Sequence, residues 1–180
     1  MGKIFDFESS KTMKEEVLQQ KFLNIYETHS DSIFRYCLFR ISSRETAVDI
    51  TQDVFMRFWD YLRQGKEIKN DKAFIFMIAR NSVIDFYRKK KSVSLDAILE
   101  ENEDGFFMAD SGGSKVDIEM STESRFVLDK ISELPPDDQQ IVYLRFVEDL
   151  KPKDIAEILG ISANAVSVRV IRAIEKLQKS

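Results

Sequence analysis

Residues 73–91, AFIFMIARNSVIDFYRKKK, interleave aromatic rings with lysine and arginine. Cations can contact phosphates and aromatic rings can stack on unpaired bases, so this composition suits a nucleic acid whose strands are separated. The apolar residues of the stretch recur at near-helical spacing, which predicts an amphipathic helix. A core helix that ends in a solvated basic run explains the same pattern about equally well. The stretch alone leaves both interpretations open.

The other residues that could take part in catalysis or metal binding lack the partner residues that such chemistry needs. Asp49 and Asp53 lie four residues apart and could imitate a catalytic carboxylate pair, but no histidine or third ligand is in register. A partner-binding face is therefore the better interpretation of that pair. The single Cys37 fits a buried structural thiol, and the single His29 has no companion ligand. Without a phosphate loop or a nucleophile–base pair, we expect no enzymatic activity, no metal and no cofactor.

Residues 152–177 carry the most specific local pattern. Ala156 is small where two crossing helices must approach closely, Gly160 permits a left-handed turn residue, and Ser162 can cap the following helix. These residue types at these offsets predict a DNA-binding helix-turn-helix. An ordinary αα-corner with a solvated cationic face is the alternative. The second helix has one apolar side, and its opposite side and N-terminus carry Asn164, Ala165, Ser167, Arg169, Arg172 and Lys176.

Composition bounds the possible classes of protein. The 180 residues are 43% hydrophobic and 32% charged, with only six glycines and three prolines, which indicates a globular and mainly helical chain. The net charge of −4 means that nucleic-acid binding must come from local patches. The N-terminus has no apolar core of signal-peptide length, and no apolar run approaches a membrane span. We therefore expect a soluble, cytoplasmic protein that does not insert into a membrane.

Charge changes sign along the chain. Residues 57–91 hold ten basic and four acidic residues, whereas residues 92–125 hold two basic and nine acidic residues, with three glycines among them. A basic block followed by an acidic, glycine-containing block indicates a domain followed by a linker. We predict an all-α protein in which two small helical domains, 13–91 and 123–180, are joined by a flexible acidic linker, 92–122. The C-terminal domain contains the helix-turn-helix.

Finer elements follow from periodicity. Residues 1–10 are predicted as a frayed lead, and Ser30–Asp31 can interrupt or re-cap the helical pattern that runs from residue 13 to residue 43. The next helix is the clearest, and residues 64–71 follow it as a loop. Pro135 and Pro136 end one helix and begin another. The buried stripe of the clear helix is Ile50, Val54, Phe55, Phe58, Trp59 and Leu62, and the inner face of the helix after the prolines is Ile141, Leu144 and Val147.

Three segments together carry a family resemblance. They are ETAVDITQDVFMRFWDYL, AFIFMIARNSVIDFYRKKK and LPPDDQQIVYLRFVEDLKPKDIAEILGISANAVSVRVIRAIEKL, in that order and with a linker between the second and third. With these three segments in this order, the chain resembles a bacterial RNA polymerase sigma factor of the small extracytoplasmic-function group. The resemblance implies a transcription initiation factor that binds core RNA polymerase and directs it to specific promoters. The first domain would melt the promoter, and the helix-turn-helix would read the upstream element.

The resemblance also implies roles for individual residues. Those that would grip the polymerase are Asp49, Gln52, Asp53 and Phe55. Those that would bind the downstream (−10) element are Asn70, Asp71, Lys72, Arg80, Asn81, Tyr87, Arg88 and Lys91, with the loop around Asn70 capturing a flipped base. Those that would bind the upstream (−35) element are Ser162, Asn164, Ser167, Arg169, Arg172 and Lys176.

The sequence departs from the family pattern in two places. Phe74 stands where the family often has tryptophan, and Ala165, Ser167 and Val168 stand where threonine, lysine and serine are common. The implied partners are core RNA polymerase, promoter DNA and, as is common in the family, an anti-sigma factor; the free chain is expected to be a monomer. Two other classes stay open: a stand-alone helix-turn-helix regulator with a helical sensor domain, and a helical adaptor with no DNA role.

Overall fold

The computed structural model describes residues 3–41, 43–93 and 122–179. Within these ranges every regular element is helical, which confirms the all-α prediction. The predicted linker lies almost entirely outside the described residues. None of the described helices is both long and apolar enough to cross a lipid bilayer. The elements are α1 (Lys3–Ile41), α2 (Arg44–Arg63), α3 (Asp71–Val93), α4 (Thr122–Ser132), α5 (Pro136–Val142), a π-helical turn (Tyr143–Val147), α6 (Pro152–Leu159) and α7 (Ala163–Lys179).

Helix α1 is longer than the sequence predicts. It begins at Lys3, within the predicted frayed lead, and continues through Ser30 and Asp31 without a break. The expected interruption is therefore wrong. Asp31 forms an ion pair with Arg35 one turn later at 2.8 Å. Its carboxylate therefore pairs with a side chain of the same helix and does not cap a new one.

The first half of the molecule, α1–α3, is a three-helix unit. Ser43 caps α2 by accepting a hydrogen bond from the Thr46 N–H at 3.4 Å. The predicted stripe of α2 is confirmed except at Trp59, which is half-buried. Cys37 is buried as expected, and burial raises the pKa of its thiol to about 12. Residues 64–70 form the predicted loop, and α3 begins at Asp71.

The second half of the molecule, α4–α7, contains one feature that periodicity missed. Pro136 occupies the first turn of α5, as predicted, and Ile141 and Leu144 are buried. The chain then makes a π-helical turn, in which the Glu148 N–H bonds to the Tyr143 carbonyl five residues back. A π turn holds one residue more than an α turn. Val147 is consequently 36% exposed, and Glu148 turns inward at 4%.

Helices α6 and α7 form the predicted helix-turn-helix. Gly160 ends α6 in the left-handed conformation at φ 69° and ψ 29°, which an L side chain adopts only with strain. Ser162 accepts a hydrogen bond from the Ala165 N–H at 3.1 Å and so caps α7. Val166 and Ala173 are fully buried on the inner side of α7. The turn residues therefore fix the angle at which α7 is presented.

The two halves share a continuous core. Buried residues of α1–α3 form one cluster with those of α5, the π turn and α6. The Tyr143 ring stacks on Phe39 with centroids 4.7 Å apart, and the Gln140 amide donates to the Tyr36 hydroxyl at 2.6 Å. Both partners of that hydrogen bond are buried. The sequence predicts two domains and does not place them against each other, so this packing is new information.

Candidate polymerase and nucleic-acid interfaces

The polar side of α2 faces outward. Asp49 and Gln52 are exposed. Asp53 is half-buried and accepts an ion pair from Arg57 at 2.8 Å. Phe55, which the family resemblance placed among the polymerase contacts, is 3% exposed and packs edge-on against Tyr26 at 4.8 Å. In this arrangement the acidic and amide groups are at the surface, and the Phe55 ring supports the helix from within.

The N-terminus of α3 is tied to the second half of the molecule. The Asn70 side-chain oxygen accepts a hydrogen bond from the Ala73 N–H at 3.1 Å and so caps the helix. The Asn70 amide nitrogen donates to Asp154 of α6 at 2.9 Å. Asp71 pairs instead with Lys21 of α1 at 3.0 Å. Asn70 therefore joins the start of α3 to the first turn of α6.

Lys72 makes a second link across the same interface. Its ammonium group donates to the Glu148 backbone carbonyl and lies 3.6 Å from the Glu148 carboxylate. Burial raises the pKa of that carboxyl, while the charges of Lys72 and Arg35 and a hydrogen bond from Ser32 oppose the rise. The cation predicted to contact DNA thus has a buried anionic partner in the second half.

The other predicted DNA-binding residues of α3 differ in how exposed they are. Asn81 and Arg88 are exposed, and Arg80 is half-buried. The Tyr87 hydroxyl donates to the Arg40 carbonyl at 2.8 Å, which ties α3 to the end of α1. The Lys91 side chain lies outside the described residues.

The aromatic rings of α3 mostly serve packing, which favours the core-helix interpretation for most of them over stacking on unpaired bases. Phe76 is fully buried, and Phe74 packs against Tyr61 with centroids 4.3 Å apart. Phe86 and Tyr87 are half-buried and contact each other edge-on at 5.3 Å. Rings available for base stacking are therefore limited to the partly exposed edge of the helix.

Helix α7 presents its polar residues outward. Asn164 and Arg172 are exposed, and the Ser167 hydroxyl donates to the Ala163 carbonyl at 3.0 Å. Two of the three predicted DNA-binding cations are paired with carboxylates at the start of α5. The pairs are Arg169 with Asp137 at 3.8 Å and Lys176 with Asp138 at 2.9 Å.

A cleft of about 210 Å³ lies where the two halves meet at the start of α3. The loop before α3 and the helix itself supply one wall, including Asn70, Phe74 and Met77. Glu157 and Ile158 of α6 supply the opposite wall. The residue predicted to capture a flipped base therefore lines a cleft that α6 partly encloses.

Sequence reasoning missed Glu148 and Asp154. Both look like surface carboxylates in the sequence, and periodicity would leave them exposed. The π turn rotates Glu148 inward, and the packing of α6 on α3 brings Asp154 to Asn70. No local signal in the sequence indicates either event.

Comparison with known proteins places these surfaces in context. Residues 25–93 match the family model described as Sigma-70 region 2, and residues 127–177 match Sigma-70, region 4. The ECF RNA polymerase sigma factor BldN of Streptomyces coelicolor is 27% identical over 88% of this chain and 59% of its own length. The ECF RNA polymerase sigma factor SigW of Bacillus subtilis is 29% identical over 89% of each chain. This chain thus spans less than two thirds of BldN and most of SigW.

The fold is shared with solved structures. The sigma factor RpoE of Bartonella quintana, solved in complex with the anti-sigma factor NepR, superposes with a TM-score of 0.63 at 21% identity, covering 89% of this chain and 94% of that one. In this all-helical chain, the match to region 2 is followed by the match to region 4. The chain belongs to the sigma-70 family of RNA polymerase sigma factors, in its extracytoplasmic-function (ECF) group.

Proposed function

We propose that this chain is a transcription initiation factor that binds core RNA polymerase and directs it to specific promoters. The observation that carries the proposal is the outward-facing polar side of α7, held by the Gly160 turn and the Ser162 cap in a helix-turn-helix. Asn164 and Ser167 lie in the first turns of α7, where a recognition helix contacts base edges, and the cations follow farther along. This surface binds the −35 element.

The first half supplies the other two contacts. Asp49 and Gln52, with Asp53 beside them, form an exposed polar face on α2 that binds the polymerase. Asn81 and Arg88 extend along the exposed edge of α3 and, with Asn70 and the other predicted residues, contact the −10 element. The chain acts without catalytic groups of its own, because positioning and strand capture need only binding energy.

Further properties follow from the same proposal. The protein acts in the cytoplasm, where polymerase and promoter DNA are present. The related RpoE was solved with an anti-sigma factor, and we extend that kind of partner to this chain. The free chain is a monomer. The exposed apolar residues Phe126, Phe146 and Ile171 of the second half leave surface for a protein partner.

Reconstitution with core polymerase tests the function. The purified chain is mixed with bacterial core polymerase, recovered by co-purification, and supplied with a fragmented genomic library for transcription. We expect a stable complex and transcripts that start at a small set of related sequences. Binding to duplex DNA without any association with polymerase would instead support a stand-alone regulator. Association with neither would support a helical adaptor.

A further inference from the structure

Val168 is an exposed apolar residue in the middle of the polar side of α7. We propose that Val168 reads the 5-methyl group of a thymine in the −35 element and so helps to determine which promoters are selected. The inference rests on the proposed function and deepens it, because it gives a base preference to the surface that binds duplex DNA. Val168 is not among the residues that the family resemblance implies for −35 binding.

The position of Val168 on the helix is the first support. Val166 and Ala173 are fully buried and mark the inner side of α7. Val168 follows Val166 by two residues, a rotation of about 200° around the helix axis, which brings it to the opposite side. It is 38% exposed there. Asn164 lies one turn before it and Arg172 one turn after it, and both are exposed. Val168 therefore lies within the surface that faces DNA in the proposed complex.

The bonds made by its neighbours are the second support. The Ser167 hydroxyl donates to the Ala163 carbonyl at 3.0 Å, so it offers a base only its acceptor lone pairs. Arg169 pairs with Asp137 of α5 at 3.8 Å. Val168 lies between Ser167 and Arg169 in the chain and is exposed. The middle of the reading surface is therefore apolar.

An apolar side chain in the major groove has one apolar partner among the bases. Thymine carries a methyl group there, whereas the edges of adenine, guanine and cytosine present hydrogen-bond donors and acceptors. The Val168 side chain has no hydrogen-bonding group. Opposite a donor or acceptor it would displace water without replacing the lost hydrogen bond, which costs free energy. Opposite a thymine methyl it covers apolar surface on both sides of the contact. Val168 therefore favours thymine.

The spacing to Asn164 makes the preference more specific. An asparagine amide can make two hydrogen bonds with N6 and N7 of adenine. Residues four apart are separated by about 6 Å along a helix axis, and successive base pairs of a duplex by about 3.4 Å. We therefore expect the thymine that Val168 contacts to lie within about two base pairs of an adenine that Asn164 reads.

Replacement of thymine by deoxyuridine tests the contact directly, because it removes only the methyl group. The holoenzyme, made from the full chain and core polymerase, first selects its preferred upstream sequences from a randomised duplex library. Each thymine of a selected duplex is then replaced singly by deoxyuridine, and the affinity for the holoenzyme is measured by competition. We expect one thymine at which the replacement weakens binding roughly fourfold, as for the loss of one buried methyl group.

Two variants assign that effect to a residue. Val168→Ala shortens the side chain, and α7 should form as before because alanine is the better helix former. Its holoenzyme should bind the thymine and deoxyuridine duplexes equally well at that position. Ile171→Ala is the matched control. Ile171 is 57% exposed but lies midway along α7, beyond the N-terminal residues that reach base edges. This variant should keep the roughly fourfold difference.

The other outcomes each overturn the assignment. A methyl effect that persists in Val168→Ala, or one that is lost equally in Ile171→Ala, would mean that Val168 does not read the methyl group. Selected duplexes without any thymine sensitive to the replacement would overturn the inference and leave the proposed function intact. Weaker assembly of Val168→Ala with core polymerase, at unchanged DNA preference, would assign the valine to a protein contact instead. Failure of the holoenzyme to select any sequence would overturn the proposed function and the inference with it.

Discussion

Helices α3 and α7 begin alike and lie in different surroundings. Each has a polar side chain that caps its N-terminus, Asn70 for α3 and Ser162 for α7, and each N-terminus is predicted to contact DNA. Asn70 is also bonded to Asp154 of the other half, whereas Ser162 and Asn164 are exposed. The surface proposed to read duplex DNA is thus exposed, whereas the surface proposed to capture a strand lies against the other half of the chain.

The ion pairs of the two helices differ in the same way. Lys72 of α3 pairs with Glu148, a carboxylate almost fully buried, across the interface. Lys176 of α7 pairs with Asp138, a neighbour in its own half, and its own side chain is half exposed. Exposed pairs contribute about 0–1 kcal/mol, so α7 can exchange a carboxylate for a phosphate at little cost. The Lys72 pair instead joins the two halves and has a buried carboxylate as its partner.

Removal of the Tyr143 ring should produce the largest effect, because it weakens the contact between the two halves. Tyr143 is 1% exposed and contacts Tyr36 and Phe39 of α1. Tyr143→Ala leaves a cavity between the halves and should lower the free energy of unfolding by about 3–5 kcal/mol. Because the lost contacts join the halves, unfolding followed by circular dichroism in urea should change from one transition to two.

Phe146→Ala is the matched control for Tyr143→Ala. Phe146 lies in the same π turn and its side chain is 53% exposed, so its loss should change stability by less than about 0.5 kcal/mol. If Tyr143→Ala unfolds in one transition with unchanged stability, the interface does not couple the halves.

Charge reversal on α2 should produce the next largest effect. It tests whether the exposed polar face of α2, which takes no part in the contact between the halves described above, binds core polymerase. Asp49→Lys with Asp53→Lys should weaken binding to core polymerase on the order of 100-fold, as expected when charges at an interface are reversed. Helix content should stay the same, although Asp53→Lys removes the ion pair with Arg57. Anisotropy of a labelled chain titrated with core polymerase measures the change.

The control for the α2 variant reverses two carboxylates with the same four-residue spacing on another helix, so the change in net charge is the same. Glu27 and Asp31 are exposed carboxylates four residues apart on α1. Reversing both to lysine should leave polymerase affinity within about threefold of the unmodified chain, because distant charges are screened by salt. Equal losses in the two double variants would mean that net charge, and not the α2 face, governs binding.

The sequence predicts α7 better than it predicts the π turn and α1. Local rules suffice for α7, because Gly160 and Ser162 act on their immediate neighbours and the apolar spacing marks the buried side. They fail at Val147 and Glu148, where a π turn shifts the register by one residue. They also fail at Ser30–Asp31, where α1 continues without a break.

The interface between the halves is beyond local rules altogether. Asn70 and Asp154 are 84 residues apart, and Tyr36 and Gln140 are 104 apart. Which face of α6 meets α3 depends on the fit of two whole surfaces, and no periodicity in either helix encodes that fit. The residue types on α3 therefore predict nucleic-acid binding without predicting that the same residues are engaged within the chain.

Substitution of Asn164 tests the exposed end of α7 at a smaller scale. Asn164→Ala should cost about 1–3 kcal/mol at promoters that carry the base it contacts, and little at others. The preferred upstream sequences should therefore change when a randomised duplex library is selected with the holoenzyme. Ala163→Ser, at the neighbouring exposed position, should leave the preference unchanged. A uniform loss across all sequences would assign Asn164 to the phosphate backbone.

The smallest expected effects compare two cations of α7. Arg172 is exposed midway along the helix, beyond the residues that reach base edges, so we assign it to a phosphate. Arg172→Ala should weaken upstream binding about equally across sequence variants and lower the salt slope by about one unit. Lys176 is paired with Asp138 at 2.9 Å. Its contribution to counterion release is already partly cancelled, so Lys176→Ala should lower the slope by clearly less.

Competition binding of a randomised duplex library at two salt concentrations measures both variants. A change in sequence preference without a change in salt slope would mean that Arg172 reads bases. Equal slopes for Arg172→Ala and Lys176→Ala would mean that DNA breaks the Lys176–Asp138 pair fully. In that case Asp138→Asn should raise duplex affinity, because DNA no longer has to break the pair, whereas a pair that persists on DNA predicts little change.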